Sequence, residues 1–209
     1  MNWKSNSAIT IGLLGLYLAS CGTFSPRPDP SRFFTLSALR QVEEASLKNS
    51  NKPDKMFLGI GPIKFPGYLD RHEIVVRSAQ NRFEVSEHDR WAEPLQENFT
   101  RILSQNLAVL LNTDLITAYP WPPGNRPRYQ VEIDVLRFEA DNERNAQLFA
   151  RWAVLDGSDK KIAVVKESRA LRNAKEESTD GSVAALSEAV GDLSREIAET
   201  VNAIDRRRE

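Results

Sequence analysis

The chain has 209 residues, with 28 Lys and Arg against 29 Asp and Glu, a formal charge of −1 and a hydrophobic share of 41%. That balance is ordinary for a globular protein. It excludes a nucleic-acid binder, which would need a basic face or a Lys/Arg run interleaved with aromatics: the one basic cluster, Arg206-Arg207-Arg208, sits where cations complement a helix end.

The first element in the chain is a signal. One cation, Lys4, precedes an apolar run from Ala8 to Ala19 that closes on small residues, the layout of a secretory signal peptide. The run is too short to span a bilayer, which takes about 20 apolar residues. No later stretch is long enough either. Leu18-Ala19-Ser20-Cys21 reads as a lipobox, with the only cysteine of the chain directly after the small pair. An unpaired thiol would be a liability in an oxidising compartment, and a thioether-linked lipid removes it. The expectation is therefore cleavage after residue 20 and a covalent diacylglycerol and N-acyl chain on Cys21; an ordinary cleaved signal with a chance cysteine, or an uncleaved anchor, are the alternatives. Several acyl chains hold a protein on a membrane where one holds it only marginally. Residues 21–31 form a linker in which Pro26, Pro28 and Pro30 favour an extended chain, and Gly22 to Ser31 reach roughly 30 Å at about 3.1 Å per residue.

Residues 32–209 have the patterning of one folded domain. Arg32-Phe33-Phe34-Thr35-Leu36 reads as a short strand, and Gln41 to Lys55 as a polar surface loop. Met56 to Ile60 is a second strand, stopped by Gly61-Pro62, and Ile63 to Arg71 an aromatic-rich loop. Ile74 to Arg77 and Arg82 to Ser86 flank a turn and predict a hairpin with Phe83 and Val85 facing the core. Trp91, Leu95, Phe99, Ile102 or Leu103, Leu107 and Leu110 recur at threes and fours, predicting a helix that starts at about Ala92 to Pro94 and ends at about Asn112. After Ile116 to Tyr119 and a proline-rich stretch, three strands follow as an antiparallel meander. The first alternates Tyr129, Val131, Ile133 and Val135 with polar residues, then shifts phase to Leu136 and Phe138, which predicts a bulge. Val183, Leu186, Val190, Leu193, Ile197, Val201 and Ile204 mark a last helix that docks on a sheet or pairs with a partner helix. The fold class is α+β: a mainly antiparallel sheet with two long amphipathic helices packed on one face.

No catalytic or metal-binding constellation can be assembled. His72 and His88 have no ligand-spaced partners, and His-Glu-x-x-His, Gly-x-Ser-x-Gly and a phosphate-cradling glycine loop are all missing. Asp89 and Glu93 read as charges capping the first helix. The unusual residues are Phe65, Tyr68, Leu69, Asp70 and Arg71 in one segment, Arg90 and Trp91 in another, and Trp121 in a third. Arg, Tyr and Trp are favoured interface anchors, but core packing with internal ion pairs accounts for the same residues, and the sequence leaves both open.

Ser31-Arg32-Phe33-Phe34-Thr35-Leu36, Ile60-Gly61-Pro62-Ile63, Pro66-Gly67-Tyr68-Leu69-Asp70-Arg71, Arg90-Trp91-Ala92-Glu93-Pro94-Leu95 and Tyr119-Pro120-Trp121, behind a lipobox, together resemble the PqiC family of ABC-type transport auxiliary lipoproteins. Arg71-His72-Glu73 stands where members tend to carry Arg-Pro-Gln. The resemblance implies a non-catalytic periplasmic domain tethered to the outer membrane, a PqiB-like MCE-domain tunnel protein as partner, and a ring-shaped homo-oligomer as the assembly. Gly22, in place of Asp after the cysteine, implies outer-membrane sorting by resemblance to Gram-negative lipoproteins at large. The alternative is an outer-membrane scaffold or assembly factor without lipid transport.

Overall fold

The computed structural model describes residues 29–39, 56–122 and 124–208. Cys21, Gly22 and the expected loop from Gln41 to Lys55 lie outside the described residues. The strands are β1 (Arg32–Phe34), β2 (Leu58–Lys64), β3 (Glu73–Ala79), β4 (Arg82–Trp91), β5 (Ile116–Ala118), β6 (Tyr129–Asp141), β7 (Ala146–Asp156) and β8 (Ile162–Arg172). Helix α1 (Leu95–Leu110) follows β4, α2 (Thr179–Arg206) follows β8, and a 3-10 turn spans Gly67–Leu69.

The architecture is α+β, built on one mixed sheet around β6. On one side of β6 lie β7 and then β8, both antiparallel. On the other side β2 pairs with the first half of β6 and β3 with its end, both parallel. Strand β5 adds to β2, the hairpin partner β4 to β3, and β1 to β4. The two longest ladders are the antiparallel ones that the meander predicts, and the parallel pairings come from the short strands. The bulge falls where the phase of β6 shifts, between Val135 and Arg137, and it turns Phe138 into the core.

Both helices lie on one face and share one core with β2, β6 and β7. The α2 stripe packs against β6, β7 and β8 as well as α1. Between the helices runs residues 35–39, held by two asparagines of α1 with no exposed surface: Leu36 N–H donates to Asn98 Oδ1 at 3.0 Å and Leu39 N–H to Asn106 Oδ1 at 2.9 Å. Asn106 in turn donates to Ser194 of α2 at 3.1 Å. Buried amides are tolerated because each bond satisfies a backbone group that has no strand partner. Gly191 makes room for Leu39, whose Cδ2 would lie 2.7 Å from any Cβ there.

Four expectations are corrected. Strand β2 does not stop at Gly61-Pro62 but runs on to Lys64; the proline, which has no N–H for the ladder, sits in a register shift between Ile60 and Ile63. Trp91 is not on the helix. It ends β4, opposite Phe34, because Pro94 disfavours helical backbone at Glu93 and α1 begins only at Leu95. Val85 is 44% exposed: Tyr68 covers Phe83 on that face of the hairpin, and Val85 lies beyond it. Asp89 does not cap α1, since it points to the start of α2, where Thr179 Oγ1 donates to it at 2.5 Å.

Candidate functional site

Three of the quoted segments meet at one corner of the sheet. The parallel β1–β4 ladder puts Phe33 beside Arg90 and Phe34 beside Trp91, and Glu73 of β3 flanks Arg90 from the other side. The Trp91 N–H donates to His72 O at 2.6 Å and the Ala92 N–H to Phe34 O at 2.8 Å, which ties the loop before β3 to the end of β4. The loop fills the gap between the end of β2 and the start of β3, so its side chains serve both faces of the sheet. Phe65 turns to the core, its ring edge-on to Phe99 at 5.2 Å and to Phe138 at 6.2 Å. Leu69 is buried with them.

Tyr68 takes the other face. Its ring stacks on Phe83 at 4.4 Å and its hydroxyl donates to Glu139 Oε2 at 2.7 Å. Glu139 also accepts from Arg77 Nε at 2.6 Å and from the Phe138 N–H at 2.9 Å, while the Arg77 guanidinium lies 4.3 Å from the Phe83 ring centre. Burial, and after it the bond to Glu139, push the Tyr68 phenol above its ordinary range.

The quoted residues therefore divide. Phe65, Leu69 and Trp91, the last 4% exposed, are core. Asp70 and Arg71 are exposed, Arg90 is half-buried, and the Arg90 Nε has no hydrogen-bond partner among the described residues. With Phe33, 66% exposed, the corner presents an aromatic ring and Arg71 to solvent, while Arg90 stands half-buried beside Phe33 with its Nε covered. Trp121 is elsewhere, against Gly59 of β2. Among the described residues no three His, Cys, Asp or Glu side chains are grouped to hold a metal, and no helix is long and apolar enough to cross a membrane.

Asp89 anchors the inner side of this corner. Burial alone would raise its carboxyl, but the bonds from Thr179 and Arg32, the latter at 2.7 Å, outweigh that and hold it below the usual value. A depressed folded value means that the contribution is present above the unfolded carboxylate range and is lost as pH falls through the folded one. The stability gap between the protein and Asp89→Asn is thus expected to be full at neutral pH and to shrink below about pH 4. Urea midpoints taken across that range check it; a gap independent of pH would contradict the assignment.

Sequence reasoning passed over Phe33, Asn98, Asn106 and Glu139. The asparagines carried a signal, since 98 and 106 fall inside the apolar stripe of α1 at helical spacing.

A family model described as "ABC-type transport auxiliary lipoprotein component" matches residues 34–198. The chain belongs to this family. That match takes in every segment that builds the corner except the first residues of β1. The family is PqiC-like, an auxiliary transport component and not a known enzyme family, and its lipoprotein character goes with membrane anchoring. Among solved structures the chain is similar to a protein from Xanthomonas campestris, at 16% identity and a TM-score of 0.68, covering 84% of this chain and 98% of that one. A second crystal structure, of an uncharacterized protein, aligns at 15% identity and a TM-score of 0.66, covering 82% and 98%. At such identities the likeness is one of fold. A comparison with curated proteins returns no match.

Proposed function

We propose that this auxiliary lipoprotein is a non-catalytic, outer-membrane-anchored subunit of a Pqi-like MCE-type lipid transport system, which docks the periplasmic tunnel protein and supports membrane integrity. The anchor is the acylated Cys21, and the domain works as a ring of identical subunits. The observation that carries the docking reading is the convergence of three separated family segments on one corner, where they leave Phe33 and Arg71 exposed and Arg90 half-buried beside Phe33 with an unpartnered Nε. Exposed aromatics and unpaired guanidinium groups are what interface centres are made of.

Two experiments test this. A photo-reactive residue at position 33 or 71 in intact cells should crosslink to an MCE-domain protein; recovery of barrel-assembly or cell-wall proteins alone would favour a scaffold and sink the transport reading. Cys21→Ala should accumulate as an unprocessed, unacylated precursor, and normal maturation of that variant would refute lipidation.

A further inference from the structure

Outside this corner, residues 121–122 and 124–127 before β6 and the turn between β7 and β8 line an open cleft of about 490 Å³. Its walls include Trp121, Asn125, Arg126, Ser158 and Lys160, and none of the described residues lining it is acidic. Of the neighbouring carboxylates, Asp156 accepts from Arg208 at 2.5 Å and from Ser158, Asp159 pairs with Lys161 at 2.8 Å, and Glu132, outside the lining, accepts from the Gln130 amide. Arg126 is exposed and has no ion pair among the described residues.

Lys160 is held in place by uncharged groups. Its ammonium lies 5.3 Å from the Trp121 ring centre and donates to Gln130 Oε1 at 2.7 Å. The Gln130 amide donates to Gly61 O at 2.9 Å and to Glu132, so its oxygen is fixed toward the lysine. Each of those contacts leaves the positive charge uncancelled. The cleft floor is tight, because a Cβ on Gly157 would sit 1.6 Å from Pro127 O.

A cleft with two cations that no carboxylate pairs with among the described residues, a side-chain amide and an indole matches an anion with several acceptor oxygens attached to an organic body. We infer that this cleft binds a phosphate ester, with Arg126 and Lys160 on the phosphate and Trp121 against the group that bears it. The ester is either a phospholipid headgroup or a soluble phosphate.

The full-length protein labelled with 5-fluorotryptophan tests this, since Trp91 and Trp152 are buried internal references. Inorganic phosphate, glycerol 1-phosphate and dihexanoyl phosphatidylglycerol are titrated while the Trp121 fluorine resonance, assigned through Trp121→Phe, is followed. A saturable shift of that resonance is expected, weakened at least about tenfold in Arg126→Gln/Lys160→Gln. It should survive in Arg206→Gln/Arg207→Gln, which removes the same charge outside the cleft. Tighter binding of the lipid than of glycerol 1-phosphate assigns a headgroup, and equal binding assigns a soluble ester. No saturable shift up to about 10 mM of any probe, or equal weakening in the two double variants, overturns the site.

Discussion

Phe99→Ala is expected to cost about 3–5 kcal/mol, the range for truncating a fully buried aromatic. Phe99 has no exposed surface and stands at the centre of three rings, edge-on to Phe65 at 5.2 Å and to Phe138 at 5.3 Å. The three rings come from α1, from the loop before β3 and from the post-bulge half of β6. Edge-to-face pairs contribute about 0.5–1.5 kcal/mol each beyond area burial, and the cavity left behind cannot collapse against a sheet on one side and a helix on the other. A loss of this size is a large part of the roughly 5–15 kcal/mol that holds a domain together. Urea unfolding measures it. Amide exchange should also quicken across residues 66–72, because Phe65 loses its main support; unchanged protection there, or a cost below about 1.5 kcal/mol, would show that the rings do not act as a unit.

Glu139→Gln is expected to cost about 3–5 kcal/mol, as when one member of a buried ion pair is removed. The Glu139 side chain has no exposed surface, and Arg77, 14% exposed, would be left as an uncompensated charge. Glutamine keeps the shape and its oxygen can still accept from Tyr68, but its amide NH2 then faces the Arg77 donor, so the loss combines the charge with that hydrogen bond. Tyr68→Phe, which keeps the ring on Phe83 and removes only the hydroxyl, should cost about 1 kcal/mol. Replacing both ions, in Arg77→Met/Glu139→Leu, should recover much of the loss, since apolar pairs of similar volume often substitute well for buried ion pairs. A double variant as unstable as Glu139→Gln would locate the cost in packing and not in charge.

How far the sequence carried the fold depended on whether a signal was local. The α2 stripe from Val183 to Val201 is buried throughout, and the phase shift in β6 is the bulge it implied, because both patterns are set by a residue's own neighbours. Trp91 was ambiguous for the same reason: four residues before Leu95, it fits a helical stripe as well as a strand end, and only the conformational restriction ahead of Pro94 separates the two. The parallel pairings of β1, β2 and β5 join segments with no periodic relation to one another. Glu139 alternates with the core residues Phe138 and Ala140 and so reads as solvent-facing, yet the ring that covers it belongs to Tyr68, 71 residues earlier. The corner was legible as segments but not as a surface: Phe65, Leu69 and Trp91 are the framework, and the outward face falls to Phe33 and Arg71, with Arg90 half-buried beside Phe33.

The strap at residues 35–39 has a mechanical consequence. A pull on the chain from its N-terminal side enters the folded unit at β1, a three-residue strand at the edge of the sheet that is held by its parallel ladder on β4. Load that passes β1 meets the rungs at Asn98 and Asn106, which hand it to α1 and, through Ser194, to α2. The fold thus passes tension beyond the edge of its sheet and into both helices.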